Sequence, residues 1–577
     1  MDFPQKLINA FNQADDEYEL IASCYCELLD CGMEDDAALV FVTRVGHLRQ
    51  DPEFGPYADQ FENLRQSVLA LAKQIDMDCD GAGTGFSVFR ENLIQKLKDF
   101  SSPASLPPYS CTCICIFYLI EALDFYIEGN LDYISDDSFA DYGPRNHGIS
   151  QKKCLLYMQE RSSFLQKAYA PEGGGNFRRP LRPSRLGAMF HSVLLVPRNL
   201  VHSVPKIVPV SLPKGLKRGA GKEKLYIASI PFIGFETFRF CPYTALPQIR
   251  TERDDEVDCS EGGHSSALSG LFYVEYPAEQ EQENIQRVLS LLKLAIKKGA
   301  NIIAFPEYIM SMEMLEQIQA ALSILNSASG NQLLLVLAGT HYDWDGAGKG
   351  NNVMHIFNRT GIELGKYYKY ASCLRQSEEI VHGARIETDG KGGAAETERG
   401  QSGKGRWGDT VSPSGFRTYC DFCEILSNPG AQCTLVDVEG VGRILPSICR
   451  DVIDGDYPGL LANLFMPSLL ITSAWSPSVN SFDVRMKSLA ETIHTTSLLC
   501  NCCNAVERGR TATGRFYFPV KRESHMKADK LDIQREGECA DSCKERGGCV
   551  TLIEVDFGSG NPASRIEGVY YPNESFS

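Results

Sequence analysis

The sequence predicts an α/β protein in which a layered α/β domain follows a mainly α-helical N-terminal region. Three observations predict it. Up to about residue 170, apolar residues recur at three- and four-residue steps, most clearly at Phe61, Leu64, Val68, Leu71, Ala72 and Ile75, the spacing that lines one face of a helix. From Lys224 onward, short apolar runs alternate with helical patterns, as they do in layered α/β domains. Between the two lies a stretch rich in Pro and Gly, which interrupts regular structure. At 577 residues the chain is also longer than a single growing core sustains, so more than one domain is expected.

In chain order, the helical region (1–170) has further apolar patches at 37–48, 89–100 and 111–127. Asp132, Asp136, Asp137 and Asp141 read as a solvated acidic loop rather than a metal site. Residues 171–223 read as a basic linker: with Lys224 the interval holds eleven Lys and Arg against two acids, Glu172 and Glu223. Such an island is expected to dock on the protein's own acidic surface, and nucleic acid is expected to bind, if at all, only here. A first buried strand is expected at 225–230, followed by an irregular polar stretch to about Ser269. Ile285, Val288, Leu289, Leu292 and Ile296 then take helical spacing up to Lys297, Lys298 and Gly299, cations and a glycine suited to a helix C-terminus. One strand leads to Glu307, and others are expected at 333–338, 353–357, 363–370, 433–438, 443–448, 468–472, 497–503 and 550–555. Residues 383–430, with ten glycines, read as an insertion in a domain spanning 224–557, and 558–577 as a C-terminal tail.

Composition narrows the function. Apolar residues make up 43% and charged residues 23%, as in ordinary globular proteins. A formal charge of −17 disfavours general adhesion to nucleic acid or anionic lipid. The N-terminus lacks the basic-then-apolar pattern of a secretory signal. The most apolar run, from Cys113, is interrupted by Glu121 and Asp124 and is too short to span a bilayer. A cytoplasmic protein without a membrane partner is therefore expected. Its twenty-one scattered cysteines are expected to be reduced. Cys420, Cys423 and Cys433, like Cys539, Cys543 and Cys549, form irregular groups with no histidine beside them and are expected to be free thiols rather than zinc ligands.

Three fragments place reactive groups at strand ends. NIIAFPEY delivers Glu307, ELGKYYKY delivers Lys369, and RILPSICRD delivers Cys449. In an α/β sheet such ends can converge although far apart in sequence. A thiol attacks a carbonyl or nitrile carbon as its thiolate, so it needs a carboxylate to take its proton and a cation to stabilise the anion that forms.

In type, order and strand context the three fragments resemble the glutamate, lysine and cysteine motifs of the nitrilase superfamily of carbon–nitrogen hydrolases. The resemblance runs from about 224 to 557 and includes LLITSAW, Ala490 with Glu491, CNCCN and TLIEVDF. It implies a four-layer αββα sandwich and a cysteine-dependent hydrolase of non-peptide C–N bonds, foremost an amidase, acting on a small amide or nitrile through a thioester acyl-enzyme. No metal or organic cofactor is implied, and at least a homodimer is. Glu307 would be the general base and later the acid, Cys449 the nucleophile, and Lys369 the oxyanion partner together with the backbone N–H of Arg450. The Arg450 side chain is a candidate for holding an acidic substrate group. A second glutamate follows the lysine in the family, and Glu378 or Glu379 matches it. Lys369 and Cys449 are 80 residues apart, longer than is common there. The alternative is a catalytically weak or inactive assembly or binding module, since nitrilase-like domains also occur attached to other modules in bacterial antiviral proteins.

Overall fold

The structure is a computed structural model. It describes residues 17–131 (except 34, 79–83 and 101–107), 154–158, 193–211 (except 202), 224–243 (except 233–237), 268–376 (except 326–331), 421–505 (except 440 and 455–456), 513–533 (except 523–524) and 548–572 (except 557–562). The expected acidic loop at 132–141, the basic run at 177–185 and most of the glycine-rich interval lie outside the described residues.

The N-terminal unit consists of α1 (Glu17–Asp30), α2 (Asp35–Gly46), α3 (Ala58–Asp78), α4 (Thr84–Asp99) and α5 (Pro108–Leu131). Helix α5 is apolar on nearly every side and forms the centre, burying Cys111, Ile114, Ile116, Leu119, Ile120 and Leu123. Cys113 and Cys115 are buried with them, the small hydrophobes expected of free thiols. Helix α3 presents Phe61, Leu64 and Val68 to this core, and Arg65 fastens it to Glu121 of α5 at 2.7 and 2.8 Å.

A two-stranded ribbon, β1 (Cys154–Met158) against β2 (Val193–Pro197), joins this unit to the rest. Side chains alternate across a strand. Cys154, Leu156 and Leu195 point into the helical core, whereas Leu155, Tyr157, Leu194 and Val196 belong to the core of the α/β domain. Both faces are buried, so the run carries no apolar–polar alternation, and a region expected to be mainly helical contains a strand.

Beyond the ribbon come β3 (Lys206–Val210), β4 (Lys224–Phe232), β5 (Arg239–Tyr243), β6 (Leu268–Glu275), α6 (Ala278–Lys297), β7 (Ile302–Ala304), α7 (Met312–Leu325), β8 (Leu335–Trp344), β9 (Gly350–Asn358), β10 (Glu363–Tyr368), β11 (Leu374–Gln376), β12 (Asp421–Glu424), β13 (Thr434–Val438) and β14 (Gly442–Ile448). They continue as α8 (Arg450–Asp454), α9 (Tyr457–Phe465), β15 (Leu469–Ala474), α10 (Asn480–Thr492), β16 (Thr496–Asn501), β17 (Gly514–Arg522), β18 (His525–Ile533), β19 (Cys549–Asp556) and β20 (Ala563–Tyr570).

Among the described residues, two seven-stranded sheets have the orders β10-β9-β8-β7-β4-β19-β20 and β18-β17-β16-β15-β14-β13-β3. Each has a parallel centre, β4-β7-β8 in one and β14-β15-β16 in the other. Ile227, Ile302, Leu337 and Ile356 of the first sheet share a core with Val436, Ile444, Leu469 and Ile471 of the second, so the sheets pack face to face. The outer face of the first sheet is covered by α6 and α7 through Ile285, Val288, Leu292, Leu315 and Ile318. Burying each such side chain contributes roughly 1.5–3 kcal/mol. Phe482, Met486 and Leu489 of α10 join the other core, giving the expected αββα layering.

Two intervals expected to be connections contribute strands. Within 171–223, β3 adds to the second sheet in parallel with β13. Within the expected tail, β20 closes the first sheet against β19. Both are edge strands with mixed polarity, so they lack the apolar signature of central strands. The polar stretch before Ser269 likewise holds β5, which with β6, β12 and β11 makes a separate four-stranded sheet.

Tyr157 packs edge-on against Phe465 at the end of α9, with ring centroids 5.1 Å apart, and its hydroxyl donates to the Pro205 carbonyl at 3.1 Å. The Arg443 guanidinium lies over the Phe465 ring, 6.0 Å from its centroid. Phe465→Ala should leave a cavity costing about 3–5 kcal/mol. Chemical denaturation of the full chain checks this, and a loss under 1 kcal/mol would show that the contact is not part of a tight core.

Candidate active site

The site forms where the C-terminal ends of the parallel strands meet. β7 ends at Ala304, and the chain continues through Pro306 to Glu307 and Tyr308. β8 has a bulge beside this segment, between Leu337 and Thr340. At the bulge, Gly339 has φ +71°, and a Cβ there would run into the Pro306 carbonyl oxygen, so only glycine lets β8 pass. Thr340 then accepts the Tyr308 N–H on Oγ1 at 2.8 Å and the Met310 N–H on its carbonyl at 3.2 Å.

β14 delivers the thiol. Cys449 follows the last strand residue and precedes α8, with φ +44°, in the left-handed region that costs a non-glycine residue roughly 1–2 kcal/mol. Tyr308, at φ +65°, shares this conformation. Such strain persists only where neighbouring bonds impose it. For Cys449 they do: its N–H donates to the Ser473 carbonyl at 2.8 Å.

The end of β15 holds both sheets together. Ser473 donates from Oγ to the Phe305 carbonyl at 2.6 Å, the Ala474 carbonyl accepts the Glu307 N–H at 3.3 Å, and the Trp475 N–H donates to Glu307 Oε2 at 3.0 Å. LLITSAW therefore places the carboxylate of one sheet and the thiol of the other around one strand end.

Lys369, just beyond β10, is 1% exposed. Its Nζ donates at 2.7 Å to Glu307 Oε1 and at 2.7 Å to Glu424 Oε2, the last residue of β12. Burial alone would drive the ammonium towards neutrality, but Cys373, Glu307, Glu424 and Cys449 around it more than offset this and hold its pKa well above the ordinary lysine value. Burial likewise opposes ionisation of Glu424, and Lys369, Tyr308 and Asn352 reverse this and hold its pKa below the usual carboxylate value.

The two glutamates differ in one respect. Glu424 accepts four hydrogen bonds, from Lys369, Tyr308 Oη at 2.7 Å, Asn352 Nδ2 at 2.9 Å and the Cys373 N–H at 3.1 Å. Glu307 accepts three, from Lys369, Asn352 Nδ2 at 2.9 Å and the Trp475 N–H. A carboxylate offers about four acceptor positions. Among the described residues, therefore, Glu424 is saturated and Glu307 retains one.

Asp451 connects the thiol's helix to the lysine's strand. Its buried carboxylate accepts the Ala371 N–H at 2.7 Å, the Tyr370 N–H at 3.1 Å and the Tyr367 hydroxyl at 3.0 Å. Burial pushes its pKa up to about 7. Arg450 opens α8 with a half-buried side chain. Aromatic rings surround the Glu307 end: Phe240 lies 5.1 Å from Trp475 and 5.5 Å from Tyr308, and Phe238 contacts both.

Of the residues expected from sequence, the fold brings Glu307 and Lys369 into direct contact and sets Cys449 close enough to act on the Lys369 charge. Glu378 and Glu379 lie outside the described residues. The carboxylate that meets Lys369 from the other side is Glu424, 55 residues further along. Its one local signal is the alternation of DFCEIL after the glycine-rich interval, a short strand pattern. Asn352, Tyr308 and Asp451 had no signal beyond lying beside or within predicted strands. Among the described residues, no three His, Cys, Asp or Glu are grouped to hold a metal ion; Cys420, Cys539 and Cys543 lie outside them. Among the described residues, no helix is long and apolar enough to cross a membrane.

Residues 267–396 match the carbon-nitrogen hydrolase family model, a span that includes Glu307 and Lys369 and ends before Cys449. This part of the chain is thus similar to the carbon–nitrogen hydrolases. This domain is similar to solved structures. Saccharomyces cerevisiae Nit3, a member of branch 10 of the nitrilase superfamily, is 14% identical over 57% of this chain and 96% of that one, with a TM-score of 0.28. An amidase from Nesterenkonia sp. is 12% identical over 58% and 99%, with a TM-score of 0.26. The C. elegans NitFhit protein is 14% identical over 57% and 64%, with a TM-score of 0.27. No curated protein matches the chain.

Two predictions test the supports of the candidate site. Gly339→Ala should lower the thermal midpoint and disturb Glu307, because the added methyl meets the Pro306 carbonyl; unchanged stability would mean that β8 can shift aside. For Asp451, the folded-state pKa of about 7 lies above the unfolded value of about 4. Its contribution is thus fully present below about pH 4 and is lost as the pH rises through about 7. In urea denaturation the advantage of wild type over Asp451→Asn should shrink across that window, and an advantage that grows would contradict this.

Proposed function

We propose that the domain is an amidase that hydrolyses the C–N bond of a small amide through a thioester on Cys449. The observation that carries this reading is the buried Lys369 ammonium held between Glu307 and Glu424 beside a cysteine in a left-handed strand-end turn.

The reaction follows from these groups. Glu307, with an acceptor position left open, takes the Cys449 proton as the sulfur attacks the carbonyl carbon. Lys369, fixed as a cation, and the Arg450 N–H stabilise the oxyanion. Glu307 then returns the proton to the departing nitrogen, and water, activated by the same carboxylate, releases the acid. Glu424 takes no proton: its four donors leave it to hold Lys369 charged and in place. The aromatic wall of Phe238, Phe240 and Trp475 favours a substrate with an apolar acyl group. The steps require neither a metal nor an organic cofactor. The protein acts in the cytoplasm as at least a homodimer, and a monomeric mass by light scattering at micromolar concentration would contradict the oligomer.

The test is ammonia release over a panel of amides, nitriles and N-carbamoyl compounds. Wild type should release ammonia from at least one amide. Glu307→Gln, Lys369→Ala and Cys449→Ala should each lose on the order of a hundredfold or more in rate. Their losses should not add, because the three groups act on one covalent step. An active Cys449→Ala protein would remove the mechanism.

A further inference from the structure

Outside the candidate active site, two thiols touch across the junction between the helical unit and the ribbon. Cys26 lies on α1 and Cys154 opens β1, and their sulfurs are 3.3 Å apart. Cys154 is fully buried, and its Sγ also lies 3.5 Å from the Ala22 carbonyl, one turn before Cys26 on the same helix. Cys26 is half-buried and is the more exposed of the two. The S–H···S contact with Cys26, in which Cys154 keeps its own proton, and burial raise the Cys154 pKa far above the ordinary thiol value, so Cys154 rests as the neutral thiol.

We propose that Cys26 and Cys154 form a redox modification site, in which a low-molecular-weight disulfide such as glutathione disulfide converts the pair into an intramolecular disulfide that fastens the β1–β2 ribbon to α1. The order of events follows from exposure. Cys26 ionises and its thiolate attacks one sulfur of the small disulfide, giving a mixed disulfide on Cys26 and releasing one small thiolate, which takes up the proton. Cys154 then gives up its proton and attacks the Cys26 sulfur, and the second small thiol leaves. Two protein thiols are oxidised to one disulfide while one small disulfide is reduced to two thiols. The sulfurs have to close from contact to a bond of about 2.05 Å, a movement that side-chain rotation can supply.

The location gives this bond a consequence. It joins positions 128 residues apart, so it removes a large loop's freedom from the unfolded chain. It also fixes a ribbon whose opposite face carries Tyr157 against Phe465, the end of the helix pair that begins directly after Cys449. Oxidation therefore locks the helical unit onto the hydrolase sandwich. Pairs of this kind in reducing surroundings are more often redox-sensing than structural.

The experiment uses the full chain, treated with glutathione disulfide, alkylated without reduction and mapped by mass spectrometry, with the thermal midpoint measured in parallel. The expected result is a cross-linked Cys26–Cys154 peptide and a raised midpoint, both reversed by dithiothreitol. Cys154→Ser should instead hold glutathione on Cys26 with no rise, and Cys26→Ser should leave Cys154 free. The proposal is overturned if wild-type Cys26 stays free, if it pairs with another cysteine such as Cys24 or Cys31, or if the cross-linked protein melts at the same temperature as the reduced one. None of these readouts depends on hydrolase activity.

Discussion

The buried ammonium of Lys369 is the constraint around which the site is arranged. An unpaired charge removed from water costs several kcal/mol, so it needs opposite charges at hydrogen-bond distance. Glu307 and Glu424 supply them, and they come from different places: one follows a central strand of the first sheet, the other ends a strand of the separate four-stranded sheet. Two carboxylates this close would repel each other without the lysine, and the lysine would lose its proton without them. Asn352 donates to both and Tyr308 to Glu424, so the three charges stay in one geometry. The two carboxylates differ in their surroundings, with four donors on Glu424 and three on Glu307 among the described residues.

A second constraint brings the thiol to this cluster. The two sheets could slide over a purely apolar interface, because hydrophobic contact has no direction. The end of β15 removes that freedom through directed hydrogen bonds: Ser473 binds the Phe305 carbonyl of the other sheet and accepts the Cys449 N–H, and the next two residues hold Glu307. Asp451 adds a further connection, between the thiol's helix and the backbone after Lys369. Cys449 and Tyr308 can be kept in left-handed conformations because these bonds outweigh the local cost.

The helical unit is not a loosely tethered addition. The β1–β2 ribbon has one face in each core, and the chain leaving it enters β3 of the sandwich. On the way Ser203 donates to the Gly430 carbonyl, and Gly430 in turn donates to the carbonyl of Lys369. The same segment thus contacts the backing of both the lysine and, through Tyr157 and Phe465, the helices after the cysteine.

Sequence alone determined what depends on neighbours along the chain. Phe61, Leu64 and Val68 marked their helix by periodicity, β7 and β14 were visible as apolar runs that lead to Glu307 and Cys449, and Lys369 stood out at the end of the alternating run ELGKYYKY. Tertiary structure decided what depends on residues distant along the chain. Glu424 meets Lys369 only because the chain returns after a long interval, and nothing near either residue records that return. Asn352 was hidden inside β9 because an amide facing two carboxylates looks, along the chain, like any polar residue of a strand. Cys154 to Met158 escaped recognition as a strand because burial on both faces erases the alternation that exposes one. Periodicity reports the environment of one element at a time, whereas pairing between a carboxylate and an ammonium, or between two thiols, is created only when separate elements are packed together.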